Sequence, residues 1–285
     1  MRRIKHILVP TDFTEAADNA FAYANRLAVE MNAKITVLHV YTDEFIHPTP
    51  HVLRRNLLDE RKELAQKRIW KYVRQNAPNL PEGNVAVMPT VDVNTIVKGG
   101  NPAEIVNIVA KTEAADLIVM GTRDEHKTTD RILGSVATFV GRQAECPVLV
   151  IPPGVQFTPP KHIAYASDLS DGDLMDMQSL VYWAGKFKAC IHWVHVDKNK
   201  DDTVNTSGEE FEQIFQINAP ALQVGFTRLE APDLFTGLDA FVEEKNIDLL
   251  VMHPHRNKVF ENIFKASATK KMVHRTEVPL LLFHD

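Results

Sequence analysis

A chain that repeats one pattern along its length builds the same unit more than once rather than a single large core. Residues Ile7–Thr14 read I-L-V-P-T-D-F-T, and Ile163–Ser170 read I-A-Y-A-S-D-L-S. Asp12 recurs as Asp168 at an offset of 156, and Leu38-His39-Val40 recurs as Val194-His195-Val196 at the same offset. Further on, Asp116-Leu-Ile-Val-Met120 returns as Asp248-Leu-Leu-Val-Met252, now at an offset of 132. Ser135 with Ser267, and Pro147-Val-Leu-Val150 with Pro279-Leu-Leu-Leu282, keep that second offset. The later copy is therefore 24 residues shorter between His195 and Asp248. Two collinear copies of about 140 residues each read as a duplicated domain, one over 1–154 and one over 161–285. The copies then act as controls for each other. A residue kept at matched positions in both points to structure, and a residue kept in one is a candidate for a site.

Each half is long enough to bury a core of its own. Hydrophobic residues at 45% and charged residues at 24% place the chain among globular proteins. A net charge of −5 supplies no electrostatic footprint for nucleic acid or anionic membrane. The basic start, Met1-Arg-Arg-Ile-Lys5, is followed by an apolar run that stops at Pro10 and Asp12, too short for a leader. No run approaches the length of a membrane span. Two cysteines at unmatched positions, Cys146 and Cys190, fit a reduced cytoplasmic protein better than a disulfide framework.

Within the first copy, Ile4–Pro10, Lys34–Tyr41, Leu117–Gly121 and Val148–Pro152 are short runs without polar alternation, as strands covered on both faces require. A further strand is expected within Val91–Lys98. Glu15–Met31 carries a helical apolar stripe behind an N-cap at Thr14. In Gly100-Asn101-Pro102-Ala103-Glu104, Asn101 is expected to cap a helix, Pro102 to sit at N1 and Glu104 to reach back from N3. A long charged helix is expected over roughly Leu53–Gln75, with a shorter acidic counterpart around Glu209–Ile217 in the second copy. Val155–Lys161, with its Pro-Pro pair, reads as the linker. The β-α-β-α rhythm predicts an α/β fold, a parallel sheet with helices on both faces, built twice.

A strand ending V-P-T-D-F-T, the later G-N-P-A-E, and D-L-I-V-M-G followed by a loop, G-S and C-P-V-L-V-I-P together resemble the universal stress protein family, in a tandem arrangement. The resemblance implies two tandem doubly wound domains, each with a five-stranded parallel sheet of the adenine nucleotide alpha hydrolase type. It implies pairing through the last strands as an internal pseudo-dimer, with a homodimer left open. It also implies ATP, since some members bind it. The family's nucleotide motif, Gly-x2-Gly-x9-Gly-[Ser/Thr], falls on Gly121, Asp124, Gly134 and Ser135 with its spacing intact, but the middle glycine is Asp124. A carboxylate there faces negative phosphate oxygens where a glycine would admit backbone N–H groups; Arg123, His126 and Lys127 offset part of that charge. The second copy aligns as His253, Arg256, Ala266 and Ser267, with all three glycines gone, and reads as non-binding.

The resemblance thus implies a weakened ATP site in the first domain, with magnesium accompanying the phosphates. Asp12 and the backbone near Val9 would meet base and ribose, and Gly121, Gly134 and Ser135 the phosphates, with Arg123 in the same loop. Retention of Asp168 beside a decayed motif leaves a structural role open for Asp12. His39 and His195, kept in both copies, read as packed structural histidines. Gly121–Thr128 falls short of a P-loop because His126 stands where its second glycine belongs. His253-Pro254-His255 lacks a third metal ligand. Cys146 and Cys190 read as inert, and the mixed charges of Arg54–Lys71 as a solvated face or a partner surface. The expectation is a stress-associated binding protein with an unidentified protein partner. Two alternatives stand beside it: a scaffold of the same fold without nucleotide, and a weak phosphohydrolase using Asp12 or Asp124.

Overall fold

The computed structural model describes residues 3–42, 51–76, 91–122, 135–167, 169, 173–197, 215, 219–253 and 278–284. These fall into two compact units, one within 4–157 and the other within 158–285.

In the N-terminal unit the chain runs β1 (His6–Thr11), α1 (Glu15–Met31), β2 (Lys34–Tyr41), α2 (His51–Asn76), β3 (Val93–Gly99), α3 (Pro102–Thr112), β4 (Leu117–Gly121), α4 (Ser135–Gln143) and β5 (Val148–Ile151). Its strands pair in parallel in the order β3-β2-β1-β4-β5, with registers Val9↔Val37, Ile7↔Leu117 and Ile118↔Val148. β1 and β4 are central, which is why their sequences are nearly unbroken apolar runs. Helix α1 buries the expected stripe, from Ala17 through Phe21, Ala24 and Leu27 to Met31. The Thr14 side chain accepts the Ala17 amide, and Asn32 closes the helix in the left-handed region. Asn101 caps α3 by accepting the Ala103 amide at 3.0 Å. Glu104 remains exposed and adds only its charge to that first turn. The linker is not wholly free, because Phe157 is buried edge-on against Tyr23 at 5.1 Å.

The C-terminal unit runs β6 (His162–Ser167), α5 (Asp173–Phe187), β7 (Cys190–Asp197), β8 (Val224–Glu230), α6 (Leu234–Lys245), β9 (Leu249–Met252) and β10 (Leu280–Leu282). Its strands pair in parallel in the order β10-β9-β6-β7-β8. The acidic segment around Glu209–Ile217 lies outside the described residues, apart from the buried Phe215.

Matched positions do the same work in both units. Asp116 Oδ2 accepts the amides of Lys5 and His6 at 2.9 and 3.0 Å, and Asp248 Oδ2 accepts those of Lys161 and His162 at 2.7 and 2.9 Å. The six non-glycine residues at positive φ among the described residues form three matched pairs: Phe13 with Leu169, Asn32 with Lys188, Ala114 with Asn246. Left-handed backbone at non-glycine positions is uncommon enough that three coincidences argue for one ancestral backbone built twice.

Candidate functional site

Open α/β sheets bind ligands at the C-terminal ends of their strands, where the chain turns into the next helix. In the N-terminal unit that edge holds a cavity of about 220 Å³. β1 contributes Pro10, Thr11 and Asp12; β2 contributes Leu38 and Val40; β4 contributes Met120, Gly121 and Thr122. Helices reach the same cavity by their starts: Thr14, Ala16 and Ala17 from α1, Pro102 and Val106 from α3, and Ser135, Val136 and Ala137 from α4. The first turn of a helix leaves its N–H groups without intrahelical partners and carries about half an elementary positive charge. Three such turns around one cavity favour an anion. They are not equal, however. Glu15 and Asp18 stand in the first turn of α1 and Glu104 in that of α3, whereas the first turn of α4 holds no acid. Of the three, α4 therefore offers the least neutralised end.

Asp12 is the one charged side chain among the described lining residues. Its Oδ1 accepts the Thr14 hydroxyl at 2.6 Å and the Thr14 amide at 3.1 Å. That bond orients the residue which caps α1, so Asp12 has a structural task. Its second oxygen takes no part in either bond, and the side chain is exposed. Val9 lies one residue before the lining run with its side chain fully buried, so only its backbone is near. Gly121 ends β4 against α1. A Cβ there would lie 2.4 Å from the Ala16 carbonyl oxygen and 2.8 Å from its carbon, a packing reason for glycine that needs no ligand. Ser135 opens α4 at the cavity, exposed. Arg123 and Gly134, with Asp124, His126 and Lys127, lie outside the described residues.

Several lining residues carry no sequence signal that marks them as part of a site. Asn101-Pro102 is recognisable as a helix start, but nothing local says that this start shares an edge with Asp12 and Ser135. The strand order β2-β1-β4 brings them together, and order is a property of the sheet rather than of any motif.

The strand-to-helix turn beside the cavity is the same in both units. Phe13 and Leu169 take left-handed backbone, and their amides bond the Thr11 and Ser167 hydroxyls at 3.0 and 2.9 Å. His39 Nδ1 lies 2.9 Å from the Thr11 carbonyl, and His195 Nδ1 lies 2.9 Å from the Ser167 carbonyl. Burial pulls His39 below the ordinary histidine range, against the opposing pull of the Thr11 carbonyl. The duplicated bond makes both histidines braces of the turn. Around His39, Phe13 packs at 4.3 Å and Arg68 sits 4.1 Å above the Phe13 ring, so the α2 side of the turn is filled.

The C-terminal unit diverges where the cavity would be. His253, the counterpart of Gly121, is buried. Pro254, His255, Arg256, Ala266 and Ser267 lie outside the described residues, as does Asp168. At the same edge the C-terminal unit has an ion pair that its twin lacks. Arg228 donates through Nε and Nη2 to the two oxygens of Asp197, which His195 Nε2 approaches to 3.3 Å. The guanidinium holds the Asp197 carboxyl below its ordinary value. The matched residue to Asp197 is Tyr41. Among the described residues no three His, Cys, Asp or Glu side chains assemble to hold a metal, and no helix is long and apolar enough to cross a membrane.

Comparison with known proteins fits this geometry to a family. A model of the universal stress protein family matches residues 3–152, just over half of the chain. Universal stress protein MJ0531 of Methanocaldococcus jannaschii is 30% identical over 156 residues, covering 52% of this chain and 81% of the relative. A universal stress protein of Thermus aquaticus is 32% identical over 147 residues, covering 52% of this chain and 98% of the relative. Among solved structures, a universal stress protein from Archaeoglobus fulgidus aligns over 98% of this chain and 95% of its own, with a TM-score of 0.68 at 18% identity, a likeness of fold.

Proposed function

The chain belongs to the universal stress protein family, and we propose that its first tandem domain, 1–154, binds an adenine nucleotide weakly while the second, 161–285, does not. One observation carries this reading: a single cavity at the strand ends gathers the first turns of α1, α3 and α4, the last of them without an acid. The helix starts offer N–H groups to an anion, and among the described lining residues Asp12 is the one charge that opposes it. In the bound state the amides of Ser135, Val136 and Ala137 and the Ser135 hydroxyl hold phosphate oxygens. Gly121 and Gly134 border them, and Arg123 offsets the carboxylate of Asp124. The free oxygen of Asp12 and the backbone near Val9 meet ribose and base. A magnesium ion would enter with the phosphates, held by them and by water rather than by a protein cage. Binding of this kind stabilises the domain and biases what the protein presents to a partner, without turnover.

Asp124 sets the strength. Two like charges about 4 Å apart at a surface-like dielectric repel by roughly 4 kcal/mol, so the triphosphate binds less well than at a glycine. Calorimetric unfolding of the full chain with ATP, ADP or AMP at millimolar concentration tests the reading. A ligand at a hundred times its Kd adds about 2.7 kcal/mol, and the shift should appear in the N-terminal transition, shrink in Ser135→Ala and grow in Asp124→Gly. No shift with any of the three nucleotides removes the proposal.

A scaffold without nucleotide is the second reading, favoured by two details of the site. Gly121 is accounted for by its contact with Ala16, and Asp12 by its bonds to Thr14. On that reading Gly134→Ala changes nothing that ATP can report.

A further inference from the structure

At the other end of the C-terminal unit, where β6 and β7 begin, two histidines face each other. His162 Nδ1 lies 3.1 Å from His192 Nε2, with ring centroids 5.4 Å apart. The matched pair in the N-terminal unit is His6 and Thr36, bonded Nε2 to Oγ1 at 2.8 Å, with His6 Nδ1 also 3.0 Å from the Glu113 carbonyl. The ancestral site thus differs between the copies at the partner of its shared histidine. A hydroxyl can donate or accept, so Thr36 satisfies His6 in either protonation state. Two imidazoles can share a bond only while one facing nitrogen keeps its lone pair. Once both rings are cations, N–H faces N–H and two positive charges stand a hydrogen bond's length apart.

Among the described residues around the pair, the charged groups give no relief. From α6, Lys245 stands at the position matching Glu113, a reversal of charge, and Glu244 is bound to Lys245 at 2.8 Å. Phe241 of the same helix packs edge-on at 5.9 Å from His192. The nearby carboxylate, Asp248, has Oδ2 committed to the amides of Lys161 and His162. On the strand side, Cys190 Sγ bonds the Gln223 side chain at 3.0 Å, and Lys161 precedes β6.

We propose that His162 and His192 form an acid-operated latch, which ties the starts of β6 and β7 together at neutral pH and releases them when both rings are protonated. Burial holds His192 below the ordinary histidine value of 6.5, and His162 and Lys245 push it the same way. The unfolded chain therefore takes up its proton first. Stability from this group is complete above pH 6.5 and falls as pH drops through that value toward the folded one. Burial, with Lys34, also holds His6 low, but a hydroxyl faces it, so the repulsion of two facing imidazolium rings belongs to the second copy alone.

The test is hydrogen exchange of the full chain at pH 7.5 and 5.5, corrected for intrinsic rates, comparing wild type with His192→Thr, which restores the N-terminal pairing. Wild-type peptides covering 162–167 and 190–197 should lose protection by up to about tenfold, the most that one histidine of ordinary unfolded value can supply between those two pH values. His192→Thr should remove most of that loss. Equal acid loss in both proteins, or none in wild type, overturns the latch. If His192→Thr fails to fold, imidazole NMR of wild type decides instead. Two coupled titrations with the second suppressed support the latch, and two independent ordinary curves refute it.

Discussion

Gly121→Ala separates packing from ligand binding at the cavity. The added Cβ would sit 2.4 Å from the Ala16 carbonyl oxygen, 2.8 Å from its carbon and 3.3 Å from its Cβ. Ordinary contact between carbon atoms is about 3.5–4.0 Å, so the first turn of α1 must retreat by roughly 1 Å. The atoms struck are backbone, in a turn held by the Thr14 cap and the bonds from Thr14 to Asp12, and they cannot swing aside as a side-chain tip would. Overpacking of this kind costs about 1–3 kcal/mol, and backbone contact places it near the upper end. Replacing glycine also restricts the unfolded chain, which returns about 0.4–1 kcal/mol. The net loss is about 2 kcal/mol, or roughly 4–8 °C for a domain of this size. Differential scanning calorimetry of the full chain without nucleotide should show that loss in the N-terminal transition, with the C-terminal one unmoved. An unchanged transition together with lost nucleotide binding would refute the packing argument and return Gly121 to the ligand.

His39→Ala and His195→Ala each leave a carbonyl without its imidazole partner, Thr11 or Ser167, and each should cost about 1–3 kcal/mol in urea unfolding; a large cost in one unit only would undo the matched-brace assignment. Because Arg228 lowers the Asp197 carboxyl, the stability it supplies is present above pH 3.8 and drains away below it, so Arg228→Gln should flatten the acid limb of the pH–stability curve, and an unaltered limb would count against the pair. Burial pushes the Cys146 thiol up to about 12, with Asp116 and Glu145 adding to the shift, so iodoacetamide at pH 7.5 should leave Cys146 unlabelled in the native protein and label it after denaturation; rapid native labelling would contradict that environment.

Much of the architecture is legible in the sequence because it is written in short-range terms. The stripe of α1, the Thr14 and Asn101 caps and the apolar runs of β1 and β4 are all patterns within about twenty residues. The role of Asp116 and Asp248 is half legible: the pair announces itself as structural by recurring, but the partners, the amides of Lys5 and His6 for one and of Lys161 and His162 for the other, lie far away along the chain. The meaning of Gly121 was not legible, since the sequence cannot give the distance between a strand end and a helix start. Ala16 and Gly121 are matched by Gly172 and His253, so the small and the larger residue exchange places between the copies. The His162–His192 pair escaped for the same reason, because two histidines thirty residues apart meet only when β6 and β7 align in register.

The central question is whether the first domain alone receives a nucleotide at the start of α4. The direct measurement is a titration of the isotopically labelled full chain with magnesium ATP, following backbone amide resonances. Saturable shifts are expected at Ser135, Val136 and Ala137 and at Thr11 and Asp12, with β6, β7 and β9 unmoved. Shifts centred on the strand ends of the second domain around His253, with the α4 amides unchanged, would contradict that expectation.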